Sequence, residues 1–176
     1  DLPIESETTI SAGYAKLLEL FTHEYFHAWW VKRVKPSVFI PYDLTQETYT
    51  NLLWVFEGFT SYYDALLTAR SGATDTENYL KSLSETLNRH YLASAKNRQS
   101  LAESSFDAWI KYYKVRTNRS RSDTSYDDKG ALVAMALDAF IQKESVGKHS
   151  LDDVLRFAWQ QFKEVGKDYA GLDEEM

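Results

Sequence analysis

The chain contains no cysteine. Disulfides, thiolate nucleophiles and every zinc site built with sulfur are therefore excluded. Glycine and proline are scarce too, seven and three in 176 residues. That supply is too thin for an all-β sandwich or barrel, which reverses direction about every ten residues. Positive charge is in deficit: 20 Lys and Arg against 26 Asp and Glu give a net charge of −6. Such a balance exerts no overall pull toward nucleic acid or anionic lipid. Long apolar runs are missing as well. The most apolar stretch, Gly130 to Ile141, is too short to span a bilayer and is interrupted by Asp138. Histidine is rare, with only His23, His27, His90 and His149, so a transition-metal site must combine these with carboxylates.

What is present points to one helical domain over residues 1–176. Apolar residues make 44% and aromatics 15%, enough to fill a core at this length and too many for disorder. Helical periodicity predicts a first helix from about Ser11 to Val34, ended by the Lys35-Pro36 step. A proline-containing loop follows, then helices over about Glu47 to Arg70, Thr76 to Ala95 and Phe106 to Tyr113. Residues 96–104 read as irregular, and residues 114–125 as a basic, serine-rich surface loop. A fifth helix is expected from Asp128 to Val146, and a sixth beginning at Ser150, where Ser-Leu-Asp-Asp places an acid three residues after a hydroxyl cap. Six helices and no convincing strand make the fold class all-α. The chain begins at Asp1 and stops after GLDEEM, so it is expected to be a segment of a longer protein, and it carries no sign of its compartment.

The sharpest feature is His23-Glu24-Tyr25-Phe26-His27. On a helix, residues four apart stand one turn from each other on one face, so two imidazoles can hold one zinc ion. Glu24 lies about 100° further round the helix, close to the metal and suited to act as a general base on water. Chance would produce this pattern in roughly 0.7% of sequences of this composition. A catalytic zinc needs a third protein ligand. His90 and His149 lack a partner at i+4 and read as solvated. Glu57 is the better candidate, because it interrupts the apolar stretch Leu52-Leu53-Trp54-Val55-Phe56-Glu57-Gly58-Phe59, and a buried carboxylate needs a counter-charge. Pairing with Arg or Lys, or simple exposure, are the alternatives for it. Gly58 would admit close approach of another backbone or of a substrate. Trp29, Trp30, Trp54, Trp109 and Trp159 are expected in the core. Tyr62 and Tyr63 are expected to pack, and Arg33 and Lys35 to sit at a solvated helix end.

Read as a whole, the segments HEYFHAWWVKRVKP (His23 to Pro36), LLWVFEGFTSYYDALL (Leu52 to Leu67), QSLAESSFDAWIKYY (Gln99 to Tyr113), KGALVAMALD (Lys129 to Asp138) and SLDDVLRFAWQ (Ser150 to Gln160) carry a resemblance. In order along most of the chain, they are similar to the catalytic domain of the glycyl aminopeptidase family. That family is a branch of the gluzincin zinc metallopeptidases, which are thermolysin-like and aminopeptidase-N-like. The resemblance implies one zinc ion held by His23, His27 and Glu57, with Glu24 as general base and proton shuttle in peptide hydrolysis at protein or peptide N-termini. It also implies a preceding β-rich domain and a following PDZ-like domain in the full-length protein, with acidic amine-binding groups upstream.

The family's second oxyanion stabiliser is a Tyr three residues before a Lys-Gly glycine. Here that position is Asp127, and Tyr126 sits one residue early. Tyr126 is the expected donor; the alternative is that Tyr126 packs and Asp127 has altered or abolished turnover. A non-catalytic, zinc-stabilised helical interaction module and a gluzincin endopeptidase are the competing functions. As part of a larger enzyme, this segment alone is expected to fold around zinc with weak activity or none.

Overall fold

A computed structural model describes residues 10–93, 98–112, 125–164 and 170–172. Six α-helices dominate: α1 (Ala12–Phe26), α2 (Leu53–Arg70), α3 (Thr76–Leu92), α4 (Leu101–Phe106), α5 (Tyr126–Glu144) and α6 (Leu151–Glu164). A single 3-10 turn (Ser37–Phe39) and a π turn (Ala108–Tyr112) lie between them. The all-α expectation holds, with one addition. Strand β1 (Val34–Pro36) pairs in parallel with β2 (Ala170–Leu172), Val34 opposite Ala170. Most of the loop expected over residues 114–125 falls outside the described residues. Among the described residues, no helix is long and apolar enough to cross a membrane.

α1, α3, α4 and α5 begin where short polar side chains satisfy the free N–H groups of a first turn. Ser11 accepts from the Tyr14 N–H and Asp75 from the Asn78 N–H. Ser125 accepts from the Asp128 N–H, so α5 starts at Tyr126, earlier than expected. At α6, the Asp153 carboxylate accepts from the Ser150 N–H at 3.0 Å, as the acid three residues after Ser150 suggested. The segment read as irregular contains α4, opened by a reciprocal pair between Ser100 and Glu103.

Two boundaries differ for tertiary reasons. α2 starts at Leu53 because Thr50 accepts from the Leu52 N–H and holds a turn ahead of it. α1 stops at Phe26, well before Pro36, because the chain turns at Val31, whose φ is +121°. Lys35 is accordingly in β1 and buried, with its ammonium 4.2 Å over the Tyr42 ring, rather than at a solvated helix end. Trp30 is buried as expected, but Trp29 and Trp109 are exposed by 41% and 37%.

α2 is the central element. Phe56, Phe59, Tyr62 and Tyr63 from α2 pack with Phe26, Trp30, Val34, Ala131, Ala134 and Leu151. The Tyr62 hydroxyl donates to Asp138 of α5 at 2.6 Å, and the Tyr63 hydroxyl to Asp152 of α6 at 2.8 Å. The close approach anticipated at Gly58 is made by Gly130 of α5: a Cβ on Gly58 would stand 2.6 Å from the Gly130 Cα. Conversely, a Cβ on Gly130 would stand 2.7 Å from the Trp54 carbonyl oxygen.

Gly58→Ala should therefore force α2 and α5 apart and cost about 1–3 kcal/mol in chemical denaturation. Gly13→Ala is the control, since a Cβ there would meet only the Ser11 hydroxyl at 4.0 Å. That variant should be neutral or stabilising, because alanine is the better helix former.

Candidate metal centre

His23, His27 and Glu57 converge, with one ligand atom from each lying within 4.8 Å of the others. His23 lies in the last turn of α1 and His27 caps its C-terminus, still in helical conformation, so the i, i+4 pair survives the early end of the helix. Their rings are 4.8 Å apart and nearly perpendicular. Glu57, in the second turn of α2, points one carboxylate oxygen at both: 3.5 Å from His23 Nε2 and 3.3 Å from His27 Nε2. Ligand atoms around a tetrahedral zinc at about 2.0–2.1 Å stand about 3.3 Å from one another, so this spacing fits that ion.

The far side of each imidazole is also held. The Trp30 carbonyl can only accept, so the 3.0 Å contact with His27 Nδ1 puts the proton on that nitrogen and leaves Nε2 facing Glu57. His23 Nδ1 donates to Asp64 Oδ2 at 3.1 Å. Carboxylate and carbonyl partners of this kind orient histidines that bind metals. Asp64 was not singled out from the sequence. It lies seven residues after Glu57, two turns along the same face of α2, and that spacing was the available signal.

The remaining sequence candidates are not among the three converging ligand atoms. Glu24 is exposed on α1 beside His23. Tyr126 opens α5 and is 2% exposed, whereas Asp127 is half-buried. Gly130, one turn after Tyr126, touches Gly58, so the second turn of α5 lies against the turn of α2 that carries Glu57. His149 is exposed and 3.4 Å from Asp153, and His90 packs edge-on against Tyr91; neither joins the cluster.

The four groups are electrostatically coupled. Burial pulls the His23 imidazole down, but hydrogen bonds with Asp64 and Glu57 outweigh it and carry it up to about 10, from an ordinary 6.5. Burial likewise opposes protonation of His27, and Glu57 with the Trp30 carbonyl raises it. Burial pushes Glu57 up, yet the two histidines bring it down to about 2, from 4.5. Asp64 is raised by its own burial, against the pull of His23.

Comparison with known proteins gives a family match and a structural match. The profile of the M61 glycyl aminopeptidase family matches residues 16–133. A crystal structure of an aminopeptidase N family protein from Idiomarina loihiensis superposes with a TM-score of 0.84 at 42% sequence identity. The superposition covers 89% of this chain and 27% of that one, so the chain spans about a quarter of that relative. Comparison with curated proteins gave no match.

The signs of these shifts fix how metal-free protein responds to pH. His23, raised in the folded state, contributes stability that is complete below pH 6.5 and is lost as pH rises through about 10. Glu57, depressed, contributes stability that is complete above pH 4.5 and is lost as pH falls through about 2. Metal-free protein should therefore lose stability between pH 6.5 and 10, as followed by thermal unfolding at stepped pH. Glu57→Gln should flatten that alkaline limb.

Proposed function

Because the chain belongs to the M61 glycyl aminopeptidase family, a family of peptidases, we propose that it is the helical catalytic part of a zinc-dependent aminopeptidase. The observation that carries this reading is the pair of imidazoles, each tied at Nδ1 by an oxygen acceptor and each presenting Nε2 to the same Glu57 oxygen. His23, His27 and Glu57 would hold one zinc ion and leave a fourth position open. The ion would supply Lewis-acid polarisation of the scissile carbonyl and acidify a water. Glu24 then takes the proton of the attacking water on its carboxylate and passes it to the leaving amine. Asp64 and the Trp30 carbonyl keep both rings in the tautomer that ligation needs.

Tyr126 is assigned as the second donor to the oxyanion. Its support is that Gly130, one turn after Tyr126 on α5, touches Gly58, the residue after Glu57. The substrate class is peptides or proteins with a free N-terminus, glycine preferred, acted on by a longer protein with β-rich and PDZ-like neighbours. One observation favours a second reading, a zinc-stabilised module without turnover: Tyr126 is 2% exposed, and Asp127 stands three residues before Gly130.

Purified protein should carry close to one zinc per chain by elemental analysis; less than about half an equivalent after gentle preparation would sink the metal reading. Glu24→Gln should keep the zinc and lower kcat by roughly 10²–10⁴, whereas unchanged turnover would remove the general-base assignment. The full-length protein should cleave N-terminal-glycine peptides in preference to their N-acetylated forms. The reverse preference would favour an endopeptidase.

Tyr126→Phe should lower kcat by about 10²-fold with zinc content unchanged. An effect below about threefold would assign the ring to packing. If the parent protein also fails to hydrolyse peptides, the module without turnover is the correct reading.

A further inference from the structure

We propose that Trp30 is a positioning residue for the second histidine, an inference that rests on reading the His23–His27–Glu57 cluster as a metal site. Val31 has φ +121°. For a β-branched residue this is a strained backbone, which persists only where the surroundings impose it. The surroundings here are well defined. The Val31 N–H donates to the Val34 carbonyl at 2.7 Å, and the Lys32 N–H reaches back to the His27 carbonyl at 3.1 Å. The Val34 N–H donates to the Trp29 carbonyl at 2.9 Å, and the Val31 side chain packs against the core.

Trp30 is the fixed point of this turn. It is 5% exposed, lies parallel to Phe59 within 8°, and packs on Phe56. Its indole N–H donates to the Val55 carbonyl at 3.0 Å, two residues before Glu57. Its own carbonyl, in the peptide that joins it to Val31, accepts from His27 Nδ1 at 3.0 Å. One residue thus grips both sides of the site: its backbone sets the His27 ring, and its side chain sets the turn of α2 that leads to Glu57. The 3.3 Å between His27 Nε2 and Glu57 follows from that double grip. Val31 accommodates the strain that turns the carbonyl toward the ring. Glycine, at ease at that φ, would remove the strain and leave the grip of Trp30 in place.

The test compares Trp30→Phe and Val31→Gly with the parent protein, using Trp159→Phe as a control. Zinc affinity is measured by chelator competition, and the ligand field by the visible absorption of the cobalt(II) form. The His27 tautomer is read from ring nitrogen shifts of metal-free protein at a pH where the ring is neutral. Trp30→Phe, which keeps a ring but loses the donor to Val55, should bind zinc about 10–100-fold more weakly, with shifted cobalt bands and a mixed tautomer. Val31→Gly should keep the zinc affinity, cobalt bands and tautomer of the parent, because glycine removes the strain without loosening Trp30.

Zinc affinity within about twofold of the parent in Trp30→Phe, with the cobalt spectrum and tautomer unchanged, overturns the proposal. If Trp30→Phe does not fold, Phe59→Leu, which removes the ring stacked on Trp30, is measured in the same way and decides. A parent that binds no zinc removes the metal reading, and the tautomer of His27 in Trp30→Phe then decides the positioning claim by itself.

Discussion

The contact between Gly58 and Gly130 sets the geometry of everything around it. A methyl group on either residue would strike backbone atoms of the opposite helix, so α2 and α5 cross at a distance only glycine allows. Glu57 precedes one of these glycines, and its carboxylate is fixed in depth by that crossing. Tyr126 lies one turn before the other. Further along α5, Asp138 accepts from the Tyr62 hydroxyl at 2.6 Å, from Gln142 and from the Leu151 N–H at 2.8 Å. The two helices are thus in backbone contact near the site and tied by a buried carboxylate away from it, and α6 begins at that same carboxylate.

Buried and half-buried carboxylates recur as ties between helices. Glu19 of α1 accepts from Ser82 of α3 at 2.6 Å, Asp64 of α2 holds His23 of α1, and Asp152 of α6 accepts from Tyr63 and Arg70 of α2. Leaving any such group without its partner exposes the full cost of desolvating it, which is why each is matched. Glu57 differs from the rest in one respect. Its partners are two imidazoles, which carry positive charge only when protonated. The ties of Glu19, Asp138 and Asp152 use a hydroxyl, an amide or a guanidinium, and Asp64 faces one imidazole only. Glu57 is therefore the carboxylate whose counter-charge a metal ion can replace, and the apolar surroundings that drew notice to it in the sequence are what make that counter-charge necessary.

Features carried by local spacing were legible before any coordinates. The His23–His27 pair needs only helical geometry, Glu57 stands out by its apolar flanks, and the acid three residues after Ser150 does accept from the Ser150 N–H. Two further features had signals that went unused: the Ser100–Glu103 pair that opens α4, and Asp64 seven residues beyond Glu57. Others had no local signal. The three-residue strands pair Val34 with Ala170 across most of the chain, and a contact of that range leaves no periodicity to detect. The late start of α2 depends on Thr50, whose hydroxyl could equally have faced solvent.

The early end of α1 belongs to a different class. Ala28-Trp29-Trp30-Val31 contains neither glycine nor proline, and local preference would carry the helix on to Val34. Burial of Trp30 against Phe56 and Phe59, together with its bond to Val55, overrides that preference and leaves the strain at Val31. Places where consistent local rules are broken tend to be functional, and this one has an electrostatic consequence. The C-terminus of a helix carries partial negative charge from its unpaired carbonyls. Ending α1 at His27 brings that pole to the converging His and Glu side chains, where a cation gains from it. A helix continued to Val34 would have moved the pole about 10 Å further on, at about 1.5 Å per residue, beyond the turn in which the effect is felt. The same turn that costs backbone strain thus orients the His27 ring and adds negative potential at the point where a metal ion would sit.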